Sequence, residues 1–214
     1  MSWSRTVGTP DEARSALADP GSALDLRAHV PPGAAWSALG FEELVPGELV
    51  RAVDVHLADL AATRRLGERL AGSLRPGDLV LLSGPLGAGK TSLTQGIAAG
   101  LGVHGTVTSP TFVLARAHRG PLPLLHVDAY RLRDAGPRAL DLADLDLEDA
   151  LEEGAVVVEW GEGLVEELAP SRLAVVLSRP DGDAATGALE EGGRTAQVRA
   201  HGPRWSSLPG PEAL

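Results

Sequence analysis

Leu79-Val-Leu-Leu-Ser-Gly84-Pro-Leu-Gly-Ala-Gly89-Lys90-Thr91 decides the reading of this chain. Four apolar residues in a row suit a strand buried on both faces of a parallel sheet. The glycine-rich turn that follows fits G-x-x-x-x-G-K-[ST] in full, and the residues after it predict a helix from Lys90 to about Leu101. Glycines let the backbone turn tightly, so that successive N–H groups face phosphate oxygens. The first turn of the helix adds its positive end. Lys90 supplies a compact point charge for the β- and γ-phosphates, a task for which arginine is no substitute. The Thr91 hydroxyl is a ligand for Mg²⁺. Candidate nucleotide contacts are therefore Gly84, Leu86, Gly87 and Ala88 in the turn. Gly89, Lys90, Thr91 and Ser92 continue them into the helix.

Composition sharpens this. Eighteen of the 19 basic residues are arginine and one is Lys90, and asparagine is absent. With 26 glycines in 214 residues, a lysine falls in this frame by accident roughly once in 600. The same counts choose the nucleotide. A guanine-reading Asn-Lys-x-Asp loop cannot exist here, which favours ATP. No Leu-Ser-Gly-Gly-Gln is present, which argues against a transporter-type ATPase. The chain has no cysteine, so disulfides, thiolate metal sites and a cysteine nucleophile are excluded. Net charge is −10, whereas a protein that grips nucleic acid with its own surface is usually basic. No apolar run approaches the ~18 residues of a membrane helix, and the first residues lack an apolar signal core. The expectation is a cytoplasmic protein that does not touch membrane.

Working outward, residues 1–50 hold five prolines and read as an irregular, partly helical extension. Residues 51–201 alternate strand and helix, and the stretch from Gly202 reads as a tail. Val53–Leu57 alternates as a strand does, and Asp59 can cap a helix running to about Leu74. Leu124–Val127 and Ala155–Val158 are further buried strands. Leu173–Leu177 and Thr195–Arg199 flank a glycine-rich hairpin region, 181–194. Asp141–Glu153 reads as a solvated acidic amphipathic helix. The fold class is α/β: a P-loop NTPase-like mixed sheet with flanking helices.

A Mg²⁺ site beside a phosphate loop needs a carboxylate at a neighbouring strand's end. Asp128 and Glu159 each close an apolar strand at the edge where open α/β sheets bind ligands. His126, Asp128 and Tyr130 alternate along one strand. His126 is open to a structural or a catalytic role, and Arg131 to pairing with phosphate or with the acidic helix. Ser109-Pro-Thr-Phe112 lies where phosphate-loop proteins place a nucleotide-sensing switch, with Thr111 as its candidate catalytic residue.

Gly84–Thr91, Ser109–Phe112, His126-Val-Asp-Ala-Tyr-Arg131 and Val158-Glu-Trp160 occur in this order, preceded by Leu66-Gly67. Together they resemble the TsaE family, small bacterial ATPases of tRNA threonylcarbamoyladenosine synthesis, over roughly residues 51–200. The resemblance implies ATP and Mg²⁺ as cofactors, and work with a TsaB–TsaD pair that modifies the adenosine beside the anticodon, with tRNA reached indirectly. It also implies Thr91 and Glu159 as Mg²⁺ ligands, Asp128 as the residue needed for hydrolysis, and Trp160 as the family's aromatic beside Glu159; from its strand-end position Asp128 is also a candidate Mg²⁺ ligand, and Glu159 a candidate catalytic residue. Pro85 departs from the Asp often found there and removes one amide donor. Two alternatives are a small-molecule kinase, with Arg116, Arg119, Arg131, Arg133 and Arg138 as a lid, and a nucleotide-sensing adaptor without turnover.

Overall fold

The computed structural model describes residues 41–45, 48–110, 113–131, 145–179 and 193–205. Their centre is an eight-stranded mixed sheet. In chain order its strands are β1 (Phe41–Val45), β2 (Glu48–Leu57), β3 (Leu79–Ser83), β4 (Ala115–His118), β5 (Leu124–Asp128), β6 (Ala155–Glu159), β7 (Arg172–Ser178) and β8 (Arg194–His201). Across the sheet they run β1-β2-β8-β7-β3-β6-β5-β4. The four central strands β7, β3, β6 and β5 are parallel, and antiparallel strands extend the sheet on both sides.

β3 and β6 are buried at every position because helices cover both faces. Helices α1 (Leu60–Ala71) and α2 (Lys90–Gly100) pack on one face, over Leu82, Val157 and Leu173. The short helix α3 (Leu147–Glu153) packs on the other face, with Leu151 against Leu81, Val127 and Val158. As expected, Asp59 caps α1: its carboxylate accepts from the Ala62 N–H at 2.6 Å. The α1–α2 crossing is closer than side chains normally permit. A Cβ at Gly67 would strike the Leu93 carbonyl and the Ile97 amide of α2, and one at Gly96 would strike the Arg64 carbonyl. Leu66, beside Gly67, is buried in the resulting core.

Three expectations shift. The strand foreseen at Val53–Leu57 begins at Glu48 and pairs with β1, so β1 and the first residues of β2 lie in the stretch expected to be irregular. Between the Ser109–Phe112 loop and β5 runs an extra edge strand, β4, which no apolar run signals. At the far end the expected tail does not start at Gly202. Pro203–Trp205 makes a 3-10 turn that seats Trp205 in the core. Of the acidic segment, Leu147–Glu153 is helical, with Leu147 and Leu151 buried, while residues 141–144 lie outside the described residues. β7 and β8 pair as a hairpin around the glycine-rich stretch, itself outside the described residues from 180 to 192.

Candidate active site

The site forms where β3, β5 and β6 end together. In register, Leu82 pairs with Glu159 and Glu159 with Asp128, so both acids stand level with the start of the glycine-rich turn. Gly84, Gly87 and Gly89 all have positive φ, at 128°, 77° and 105°. Gly84 has a second reason to lack a side chain: a Cβ would collide with the Leu177 carbonyl of β7. Gly89 is the N-cap of α2 and gives it no side-chain cap, so the first amides of that helix are left to another acceptor. Leu86 stands at the crest of the turn, 88% exposed, while Ala88 is buried beneath it.

Lys90 is only 4% exposed. Its ammonium donates to the Gly84 and Pro85 carbonyls at 2.7 and 3.0 Å and lies 3.7 Å from the centre of the Trp160 ring. Burial pushes its pKa down, and the nearby Glu159, Asp128 and Glu162 carboxylates oppose that shift. An anion entering the turn would compete with the two carbonyls for the same ammonium. Trp160 adopts φ 64°, a left-handed conformation unusual for a bulky residue, and its amide donates to the Leu82 carbonyl at 3.1 Å. Tyr130 meets it edge-on, with ring centres 5.2 Å apart.

The acids differ in what holds them. Glu159, 2% exposed, accepts from the Thr91 hydroxyl at 3.2 Å through Oε2. His126 Nε2 lies 2.9 Å from its Oε1. Asp128, 3% exposed, accepts from the Ser109 hydroxyl at 2.9 Å and from the Tyr130 amide at 3.1 Å. The structure thus brings Lys90, Thr91, Asp128 and Glu159 into one constellation and ties Asp128 to the Ser109 loop. Thr111 and Phe112 of that loop lie outside the described residues, as do Arg133 and Arg138. Ser92 is half-buried in the first turn of α2.

Sequence reasoning missed two participants and gave a third another role. Thr94 donates to the Lys90 carbonyl at 3.1 Å. Gln95 donates to the Val107 carbonyl at 3.0 Å, joining α2 to the loop before Ser109. Arg116, offered as a lid residue, instead donates to the Thr108 hydroxyl at 2.8 Å. The first two were signalled only by their place one helical turn beyond Lys90 and Thr91.

The Thr91 and Glu159 oxygens suit a hard cation such as Mg²⁺, which takes oxygen ligands and keeps several of its own waters. Among the described residues no group of three His, Asp or Glu side chains could hold a metal.

Residues 57–186 match the family described as "Threonylcarbamoyl adenosine biosynthesis protein TsaE". The chain belongs to the TsaE family. It is 53% identical over 149 residues to the tRNA threonylcarbamoyladenosine biosynthesis protein TsaE of Streptomyces coelicolor, covering 67% of this chain and 94% of that one. It is 38% identical over 123 residues to the TsaE of Bacillus subtilis, covering 56% of this chain and 74% of that one. The crystal structure of Bacillus subtilis YdiB superposes with a TM-score of 0.58 at 30% identity, covering 75% of this chain and 93% of that one. Family and fold therefore agree with the resemblance carried by the motifs. Among the described residues no helix is long and apolar enough to cross a membrane.

Proposed function

We propose that this chain is a Mg²⁺-dependent ATPase of tRNA threonylcarbamoyladenosine synthesis, acting in the cytoplasm with a TsaB–TsaD complex. The observation that carries the reading is the convergence of Lys90, Thr91, Asp128 and Glu159 at the ends of adjacent strands. The names of the TsaE relatives support the pathway.

In this reading the amides of the glycine-rich turn and of the first turn of α2 hold the phosphates. Lys90 gives up its carbonyl partners to pair with them. Thr91 and Glu159 would hold Mg²⁺, which would supply positive charge against that developing on the β- and γ-phosphates. Asp128, kept buried by Ser109 and the Tyr130 amide, orients the attacking water or orders the Ser109 loop, with Thr111 as that loop's contributor. The strand and turn over Val53–Thr63 offer the contact for adenine.

tRNA enters through the partner proteins. A chain of net charge −10 with seven aromatic residues has little with which to neutralise phosphates or stack bases. The deciding experiment is ATP turnover with and without the TsaB–TsaD pair, alongside tRNA binding by the isolated chain. Turnover that rises with the partners, and weak tRNA binding without them, support the reading. Transfer of phosphate to a small molecule, or nucleotide binding with no turnover under any condition, would replace it by the kinase or the adaptor.

A further inference from the structure

We propose that His126 is a positioning residue for the metal-binding carboxylate: its Nε2–H fixes Glu159 so that Oε2 stays on Thr91. The inference rests on the Mg²⁺ reading of Thr91 and Glu159 and adds a residue to it.

The strand register explains how His126 reaches its partner. On β5 it lies two residues before Asp128 and pairs with Val157, two residues before Glu159 on β6. Side chains two apart share a face, so the imidazole and the carboxylate are diagonal neighbours on the face that carries α2. A carboxylate offers only acceptors, so the 2.9 Å contact requires the hydrogen on Nε2. Thr94 is the other hydroxyl near that oxygen, at 3.5 Å, but its single hydrogen has a better acceptor in the Lys90 carbonyl at 3.1 Å. His126 is therefore the one short side-chain donor to Oε1 among the described residues. With Oε1 so engaged, Oε2 is the oxygen that meets Thr91, at 3.2 Å.

Packing alone does not explain a histidine here. It is fully buried, and its Nδ1 has no hydrogen-bond partner among the described residues. Burying an unpartnered polar atom is costly, and an apolar side chain would fill the same space without that cost. What an apolar residue would lack is the donor to Glu159.

The test measures binding of a non-hydrolysable ATP analogue by titration calorimetry, across a Mg²⁺ series and in EDTA. Full-length wild type is compared with His126→Leu, His126→Gln, His126→Asn and Glu159→Gln. Loss of an outer-shell partner typically costs about 10–100-fold in metal affinity, so His126→Leu should raise the half-saturating Mg²⁺ by about that factor. Its affinity in EDTA should stay within about twofold, because no phosphate contact is lost. His126→Gln, whose amide reaches the place of Nε2, should recover most of the Mg²⁺ response. His126→Asn, whose amide stops nearer Nδ1, should not. A merely structural role would instead lower thermal stability and EDTA affinity in parallel, with Gln no better than Asn, and would overturn the proposal. So would an unshifted Mg²⁺ response in His126→Leu beside a shifted one in Glu159→Gln. If Glu159→Gln is unshifted too, the Mg²⁺ reading of that acid fails first. Should His126→Leu not fold, the Gln–Asn difference decides alone.

Discussion

The two ends of the parallel strands both bury charge, and they do opposite things with it. At the carboxyl end, Lys90, Asp128 and Glu159 are almost fully buried, yet much of what holds Lys90 is exchangeable: backbone carbonyls and an aromatic face. At the amino end, Asp78 begins β3's approach and is closed off by Arg204, which bonds both its carboxylate at 2.8 Å and the Ser73 carbonyl at 2.6 Å. Asp78 also accepts from the Arg75 amide at 2.8 Å, and the Arg204 guanidinium lies 4.2 Å from the centre of the Trp205 ring. One end keeps a cation on replaceable partners. The other ties a loop, a strand and the 3-10 turn together. Buried charge alone therefore does not mark a site; the exchangeability of its partners does.

The sharpest way to break the comparison is at Lys90. Lys90→Ala should weaken ATP binding by about 100-fold or more, the scale of losing a charge-assisted hydrogen bond of about 3 kcal/mol. Lys90→Arg should fail as well, because a planar fork does not replace a point charge between two carbonyls. Calorimetric titration of ATP that returns wild-type affinity for either variant would remove the phosphate-loop reading.

Next in size is the split between the two acids. Asp128→Ala should keep ATP binding and lose turnover by a factor of ~100, the scale of removing a positioned catalytic group. Glu159→Ala should instead weaken the Mg²⁺ dependence of binding, because it is the acid bonded to Thr91. Turnover and Mg²⁺-dependent affinity measured in both variants check this. Two acids that behave alike would mean that their different partners, Ser109 for one and Thr91 for the other, have no functional weight.

These residues also show what the sequence could tell. The phosphate loop, both acids and the central strands were legible, because a buried parallel strand reads as an unbroken apolar run and the loop chemistry is local. The edges were less legible. Ala115-Arg-Ala-His118 is a four-residue edge strand whose two middle residues are exposed, and its pattern is too short to stand out. Pro46 counts among the five prolines that make residues 1–50 read as irregular, although a proline between two extended stretches is equally a hairpin signal. Trp205 was lost for a different reason. Prolines at 203 and 209 suggest a tail, and only the tertiary structure supplies the pocket and the Arg204–Asp78 pair that hold the turn down. The partner of His126 was beyond local reading as well, since a separation of 33 positions between it and Glu159 is closed only by strand register.

At the amino end the effects should be on stability. Arg204→Ala removes two hydrogen bonds and leaves the buried Asp78 carboxylate with one fewer donor. The expected cost is about 1–3 kcal/mol, a fall in melting temperature of roughly 5 °C for a chain of this size. ATP affinity should not change, and a calorimetric scan paired with a titration tests both halves. A change in affinity would show that the two ends are coupled through β3.

The smallest expected effect concerns acid, at His201. This histidine closes β8 opposite Arg172 and is buried. Burial lowers its pKa from 6.5 to about 4; the Arg172 and Arg199 charges push the same way and Glu166 opposes them. Between those two values the unfolded chain takes up a proton that the folded chain refuses. His201 therefore favours the folded state fully only above about pH 6.5, and that contribution is lost as the pH falls toward 4. Carboxylates also titrate in the lower part of this window, so the comparison must be between wild type and His201→Gln rather than between pH values alone. Denaturant unfolding from pH 7 to 4.5 should show a shallower decline for His201→Gln, with the difference opening just below pH 6.5. Parallel curves would mean that the folded state accommodates the protonated ring. ATP affinity at pH 7 should be the same in both proteins, because His201 lies at the end of the sheet that ties rather than binds.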